Sequence, residues 1–279
     1  AANSIPNLVH ARTGPILYSV ISSVRPKISS GKAHNRHFPY RTKMLPSAIL
    51  FDMDETLLTN TLPIDEAWQQ ACQTSVKENK TLQADALFEQ ISIVREWYWS
   101  DPERHRLGRL NLLKARTEVV SIALAKLGNR DEKTAARIAT DYSSLIDRSL
   151  DFFPQAEDTL RQLVNKKLKL ALLTNGAGAV QQEKIKRFGL SRYFSTILIE
   201  GELGFGKPDR RVFETAVTKL DVTPGQTWMV GDDLQRDIAG AKQSGIYTVW
   251  CDYERNGLPE GSKVKPDKII GNLAALLSL

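Results

Sequence analysis

Residues 48–60 read AILFDMDETLLTN, an apolar run that stops abruptly at two carboxylates, Asp52 and Asp54, with Thr56 just behind. Ala48, Ile49, Leu50 and Phe51 show no polar alternation, the pattern of a parallel strand covered on both faces. Acids at the C-terminal end of such a strand enter the crevice where open α/β sheets bind their ligands. Two acids one residue apart suit a phosphate substrate. One carboxylate attacks phosphorus, while the other protonates the leaving oxygen and later takes a proton from water. Their joint negative charge would repel an incoming phosphate, so the scheme asks for a hard cation with oxygen ligands, most simply Mg²⁺, and a basic side chain. The same residues also fit a capped strand-to-helix turn.

Downstream, three further apolar runs end in polar chemistry. LALLTNG ends in Thr174 and Asn175, whose hydroxyl and backbone or amide N–H groups suit phosphate oxygens. TWMVGDD ends in Asp232 and Asp233, with Asp237 one helical turn on. These acids fit a cation shared with Asp52, and fit helix capping equally. GELGFGKPD matches the phosphate-loop spacing at Gly201, Gly206 and Lys207, but Pro208 stands where a hydroxyl is needed. Lys207 then reads as a charge clamp in the loop before a helix.

Around these ends the chain alternates: strands at 168–173, 195–199, 227–230 and 247–251, helices at 180–188, 209–220 and 234–244. Such alternation predicts an α/β fold, a doubly wound Rossmann-like parallel sheet with right-handed crossovers. Residues 62–152 carry only helical periodicity, in stripes such as Ala84, Leu87, Phe88, Ile91 and Ala135, Ile138, Ala139, Tyr142. They predict an inserted helical-bundle cap between two parts of the core, 44–61 and 153–279. Within that insert, WYWSDPERHRLGRLNLLKAR (97–116) is dense in bases and aromatics. Arg104, His105, Arg106, Arg109, Lys114 and Arg116 could meet an anionic substrate beside a wall made by Trp97, Tyr98 or Trp99. A solvated basic helix face explains the same stretch.

The chain has 279 residues, 42% hydrophobic and 25% charged, enough for a large core. Its formal charge of +6 is not spread evenly. Residues 1–43 hold seven bases and no acid, leaving 31 bases against 32 acids in the remainder, so no basic stripe marks a nucleic-acid surface. That leader is expected to be disordered and outside the fold, a transit peptide by composition or a non-native extension before Met44. The two cysteines, Cys72 and Cys251, make no metal-ligand spacing, and no apolar run reaches a membrane span. A cytoplasmic protein is expected, or an organellar one if the leader is a transit peptide. His105 is the only histidine outside the leader, which leaves no material for a histidine metal site or a triad.

Taken in order, DMDET at Asp52, the Thr174 strand end, Lys207 in GKP and GDDLQRD at Asp232 resemble the four motifs of the haloacid dehalogenase-like (HAD) superfamily. The resemblance covers residues 46 to about 277. It implies Asp52 as nucleophile and metal ligand, and Asp54 as general acid/base and ligand through its carbonyl oxygen. It implies further that Thr174 binds phosphate, Lys207 steadies the phosphoryl group, Asp232 completes the Mg²⁺ site, and Asp233 and Asp237 support it. Dehalogenases of the superfamily lack the acid that Asp54 supplies, so phosphomonoester hydrolysis is implied, with a small phosphorylated metabolite as partner. A phosphomutase, a dehalogenase or a non-catalytic phosphate-binding module are the alternatives. The single helical cap is similar to that of phosphoglycolate phosphatases, nucleotidases and N-acylneuraminate-9-phosphatases. Trp97, Arg104, Arg106 and Arg109 are the expected specificity residues of that cap.

Overall fold

Strand β1 (Ala48–Phe51) leads into a tight turn and a short strand β2 (Leu58–Asn60), after which five helices follow in succession. These are α1 (Ile64–Glu78), α2 (Ala84–Ser100), α3 (Pro102–Arg109), α4 (Leu112–Lys126) and α5 (Glu132–Ser149). Strand β3 (Leu150–Phe152) returns antiparallel along β2, pairing Thr59 with Asp151, so a two-stranded ribbon carries the helices away from the sheet and back. From there the chain runs α6 (Ala156–Asn165), β4 (Lys169–Thr174), α7 (Gly178–Arg187), β5 (Thr196–Ile199), α8 (Glu200–Leu203), α9 (Arg210–Leu220), β6 (Thr227–Gly231), α10 (Gly240–Gln243), β7 (Tyr247–Cys251) and β8 (Lys268–Ile270). The computed structural model describes residues 46–78 and 82–279, and the side chains of all of these except 76–78. The leader, residues 1–43, lies outside the described residues.

The six sheet strands are all parallel in the order β5-β4-β1-β6-β7-β8. β1 sits between β4 and β6, with Phe51 level with both Leu172 and Val230. The chain builds one side of β1 first and then crosses to the other. The crevice at the ends of β1, β4 and β6 is therefore the topological switch point.

Both faces of β1 are covered, as its unbroken apolar run requires. Ile49 and Phe51 pack with Leu160, Leu163, Ile185 and Leu273, whereas Ala48 and Leu50 pack with Phe213, Val217 and Met229 on the opposite face. The helices α1, α2, α4 and α5 have a core of their own, with Trp68, Leu87, Ile91, Val119, Leu124 and Ile138 all buried.

Three local expectations need correction. Residues 62–152 are not purely helical, since β3 occupies 150–152; three residues are too few for a strand period to show. β8 extends the sheet beyond the expected strands, but Lys268 and Ile269 are exposed at this edge, so no continuous apolar run announces it. The helix expected over 234–244 opens as a wide π turn, Leu234–Ala239, before α10. There the Ile238 N–H reaches back five residues to the Asp233 carbonyl. Among the described residues no helix is long and apolar enough to cross a membrane.

Candidate active site

Each sheet strand that flanks the switch point delivers one group. Asp52 follows β1, Thr174 ends β4, and Asp232 follows β6. Oxygens of Asp52, Asp232 and Asp237 all lie within 4.8 Å of one another. Lys207 enters from the loop before α9, almost fully buried, and ion-pairs with both Asp52 and Asp237, the latter at 2.6 Å. Burial pulls the Lys207 ammonium down, but the carboxylates of Asp237 and Asp52 more than offset it and hold the group charged.

One lysine does not neutralise three carboxylates. Burial, and then the charges of Asp52 and Asp237, push the Asp232 carboxyl up to about 8. Asp237, buried and partly relieved by Lys207, is pushed up to about 6. This buried surplus of negative charge on hard oxygen donors could hold a cation, and its donor set fits Mg²⁺. Supports hold it in place: Thr56 Oγ1 donates to Asp232 Oδ1 (3.2 Å), Trp250 Nε1 donates to the Asp232 carbonyl (2.6 Å), and the Asp233 N–H donates to Asp237 Oδ2 (3.1 Å). The π turn allows the last bond, because the Asp233 side chain caps Gln235 and Arg236 while Asp237 folds back beneath it.

Asp54 points its carboxylate elsewhere. It accepts from Gln181 Nε2 (2.8 Å) and Lys184 Nζ (2.7 Å), both on α7. Gln181 Nε2 also donates to Thr174 Oγ1 (2.5 Å), which fills the acceptor side of that hydroxyl and leaves its proton free to meet an anion. The Asn175 side-chain amide donates to the Lys207 carbonyl (2.7 Å) and its Oδ1 accepts from the Lys207 N–H (2.9 Å), so of the two groups expected to suit phosphate, the amide clamps the Lys207 loop and the backbone N–H is the one left.

The cap closes this corner from above, leaving a cleft of about 430 Å³ into which Trp99, His105 and Arg109 project. Of the expected specificity residues, only Arg109 lines it. Arg104 is turned inward, donating to the carbonyls of Trp97 and Tyr98 (2.6 and 3.1 Å) with its guanidinium over the Trp97 ring; Trp97 packs in the bundle. Arg106 is exposed and paired with Glu103. The reason is helical phase. Asp101 caps α3 and fixes its start, so His105 and Arg109, four apart, face the cleft, and 104 and 106 fall to either side. Arg109 makes a two-pronged pair with the buried Glu200 (2.7 and 2.5 Å), which also accepts the Gly176 N–H (3.0 Å). His105 lies between guanidiniums, Nδ1 3.4 Å from Arg109 and Nε2 3.2 Å from Arg236; burial and these two cations lower its pKa.

The model of haloacid dehalogenase-like hydrolases matches residues 46–245. The chain belongs to that family. It is 33% identical to a phosphoserine phosphatase from Thermus thermophilus over 81% of this chain and 95% of the relative. With a 5-amino-6-(5-phospho-D-ribitylamino)uracil phosphatase from Escherichia coli it shares 31% identity, over 86% of this chain and 98% of the relative. Its fold is also that of the Bacillus subtilis protein YfnB, solved bound to magnesium (TM-score 0.63, 21% identity, 85% of this chain and 98% of that one).

This HAD-like hydrolase lines its cleft with Gln181, Lys184 and Arg236 and braces it through Glu200, none of which the sequence singled out. One signal was present for the first two. Gln181 and Lys184 stand three apart in α7, directly after the Thr174 strand end, so both share the helix face nearest Asp54. Glu200 carried no such mark, since Arg109 is 91 residues away, and Arg236 pairs locally with Asp233 while its reach to His105 spans 131 residues.

Proposed function

We propose that this HAD-like hydrolase is a Mg²⁺-dependent phosphatase that hydrolyses a small phosphorylated metabolite through a phosphoryl-Asp52 intermediate. Asp54 carries this reading: it is a second carboxylate beside the nucleophile, facing the same cleft yet outside the Asp52, Asp232 and Asp237 cluster. Held by Gln181 and Lys184 rather than by the cluster, it stands at the cleft as the group for proton transfer. The phosphatase names of the matched relatives support the same chemistry.

Asp52, Asp232 and Asp237, with the Asp54 carbonyl, would hold Mg²⁺, which when bound supplies the positive charge that admits a phosphate dianion to this acidic corner. Lys207 and the Thr174 hydroxyl would take the phosphoryl oxygens. Asp52 attacks phosphorus as the ester P–O bond breaks, and Asp54 gives its proton to the departing oxygen. Water then attacks phosphorus, Asp54 takes the water's proton, and the bond to Asp52 breaks to release phosphate. Residues 62–152 act as the cap that excludes water, over a core of residues 44–61 and 153–279.

The test is phosphate release from sugar phosphates, nucleotides and small phosphoacids, with Mg²⁺ and with chelator. Activity should vanish with chelator. Asp52→Asn should lower kcat by roughly 10⁴-fold or more, and Asp54→Asn by about 10²- to 10⁴-fold. Full activity in Asp52→Asn would overturn the assignment.

A further inference from the structure

The cap holds a second hollow, a groove of about 930 Å³ that adjoins the catalytic cleft along Ile64, Trp99 and Leu112, residues that line both. Its floor is aromatic: Trp68 and Tyr142 are stacked with ring centroids 3.7 Å apart and planes 9° from parallel. Two of its basic groups are short of acceptors. Among the described residues Nη1 of Arg95 is buried without one, while the other arm of that guanidinium pairs with Asp65 at 2.6 Å. Arg116 holds its guanidinium 4.9 Å from the Tyr142 ring and donates to Ser143 Oγ (2.8 Å). Among the described residues no carboxylate pairs with Arg116, and burial lowers its pKa. Of the groove's two acids, Asp65 is taken by Arg95 and Glu96 is exposed at the rim.

A buried donor without an acceptor costs free energy, and a desolvated guanidinium without a counter-charge costs more. Arg95 and Arg116, two such cations in one groove, define what would relieve them: an anionic group with several acceptor oxygens, matched to the guanidinium fork. We propose that this groove is the leaving-group subsite, taking the carboxylate or second phosphoryl group at the far end of a phosphomonoester whose apolar middle crosses Ile64, Trp99 and Leu112. The inference rests on the phosphatase reading above and names the substrate class that reading leaves open.

The experiment uses three homologous series as molecular rulers: n-alkyl phosphates, ω-phosphonooxy-alkanoates and α,ω-alkanediol bisphosphates of increasing chain length, assayed with Mg²⁺. The full chain should favour a doubly anionic ester over the alkyl phosphate of equal length by about tenfold or more in kcat/KM, at one preferred length. A carboxylate optimum or a bisphosphate optimum decides which anion the groove takes. Arg116→Met should collapse that ratio toward one, chiefly through KM for the doubly anionic ester, and Arg116→Lys should retain part of it. Equal rates for charged and uncharged series at every length, or a preference that Arg116→Met leaves intact, would overturn the subsite while the phosphatase reading stands. Release from none of the series by the Mg²⁺-loaded protein would overturn the phosphatase reading itself, and the subsite with it.

Discussion

Asp237 shows how much chemistry one residue can carry through position alone. It is buried, ion-pairs with Lys207, accepts from the Asp233 N–H, and lies in the carboxylate cluster with Asp52 and Asp232. Its room is made by Gly231 at the end of β6, where an added Cβ would overlap the Asp237 carboxylate. Gly231→Ala should therefore push Asp237 off Lys207. The expected result is a fall in stability of about 1–3 kcal/mol in urea titration. Phosphate release should drop with it, since Lys207 loses Asp237, the carboxylate that holds it in place beside Asp52. An alanine variant with unchanged activity would show that the Asp237 position has slack.

At the scale of elements, α3 decides how the cap meets the core. Its cleft-facing pair, His105 and Arg109, contacts α8 through Glu200 and the π turn through Arg236. Arg109→Met would leave the Glu200 carboxylate buried with only the Gly176 N–H, a loss expected to cost about 3 kcal/mol. Adding Glu200→Met should recover much of that, because replacing both members of a buried ion pair by apolar groups is often close to neutral. A double-mutant cycle in denaturant measures the coupling. Additive losses would mean that α3 and α8 do not depend on this pair.

At the scale of the whole molecule, the site is a concentration of like charge held together by the fold, and stability should report it. With the Asp232 carboxyl pushed up to about 8, the native chain keeps a proton that the unfolded chain surrenders near 4. The native state thus binds more protons across that interval, and metal-free protein should lose stability as pH rises from about 4 to 8. Mg²⁺ favours the deprotonated carboxylates and should reverse that slope. At 100 times its dissociation constant it should add about 2.7 kcal/mol, read as a rise in Tm. Asp232→Asn should weaken both the slope and the Mg²⁺ response. A Tm insensitive to Mg²⁺ at pH 8 would contradict the cation site.

The backbone of this fold was legible because buried parallel strands must be continuous apolar runs, and helices with one buried face must repeat every 3.6 residues. Ala48–Phe51 and the later strand ends therefore determined by sequence alone the α/β class, the inserted helical cap and the corner where Asp52, Thr174, Lys207 and Asp232 gather. The π turn under Asp237, the ribbon of β2 and β3, and the edge strand β8 were too short or too exposed to leave a period. Only the tertiary structure chose among the cap's basic residues. Arg104, Arg106, Arg109 and Arg116 look alike in the chain, but helical phase turned the first inward, left the second on a solvated face, and sent the third to Glu200, 91 residues away. Arg116 was left over Tyr142 with a hydroxyl as partner and, among the described residues, no counter-charge. A charge's role is set by which groups surround it at a few ångströms, and for side chains that meet across the chain that neighbourhood exists only once the chain has folded.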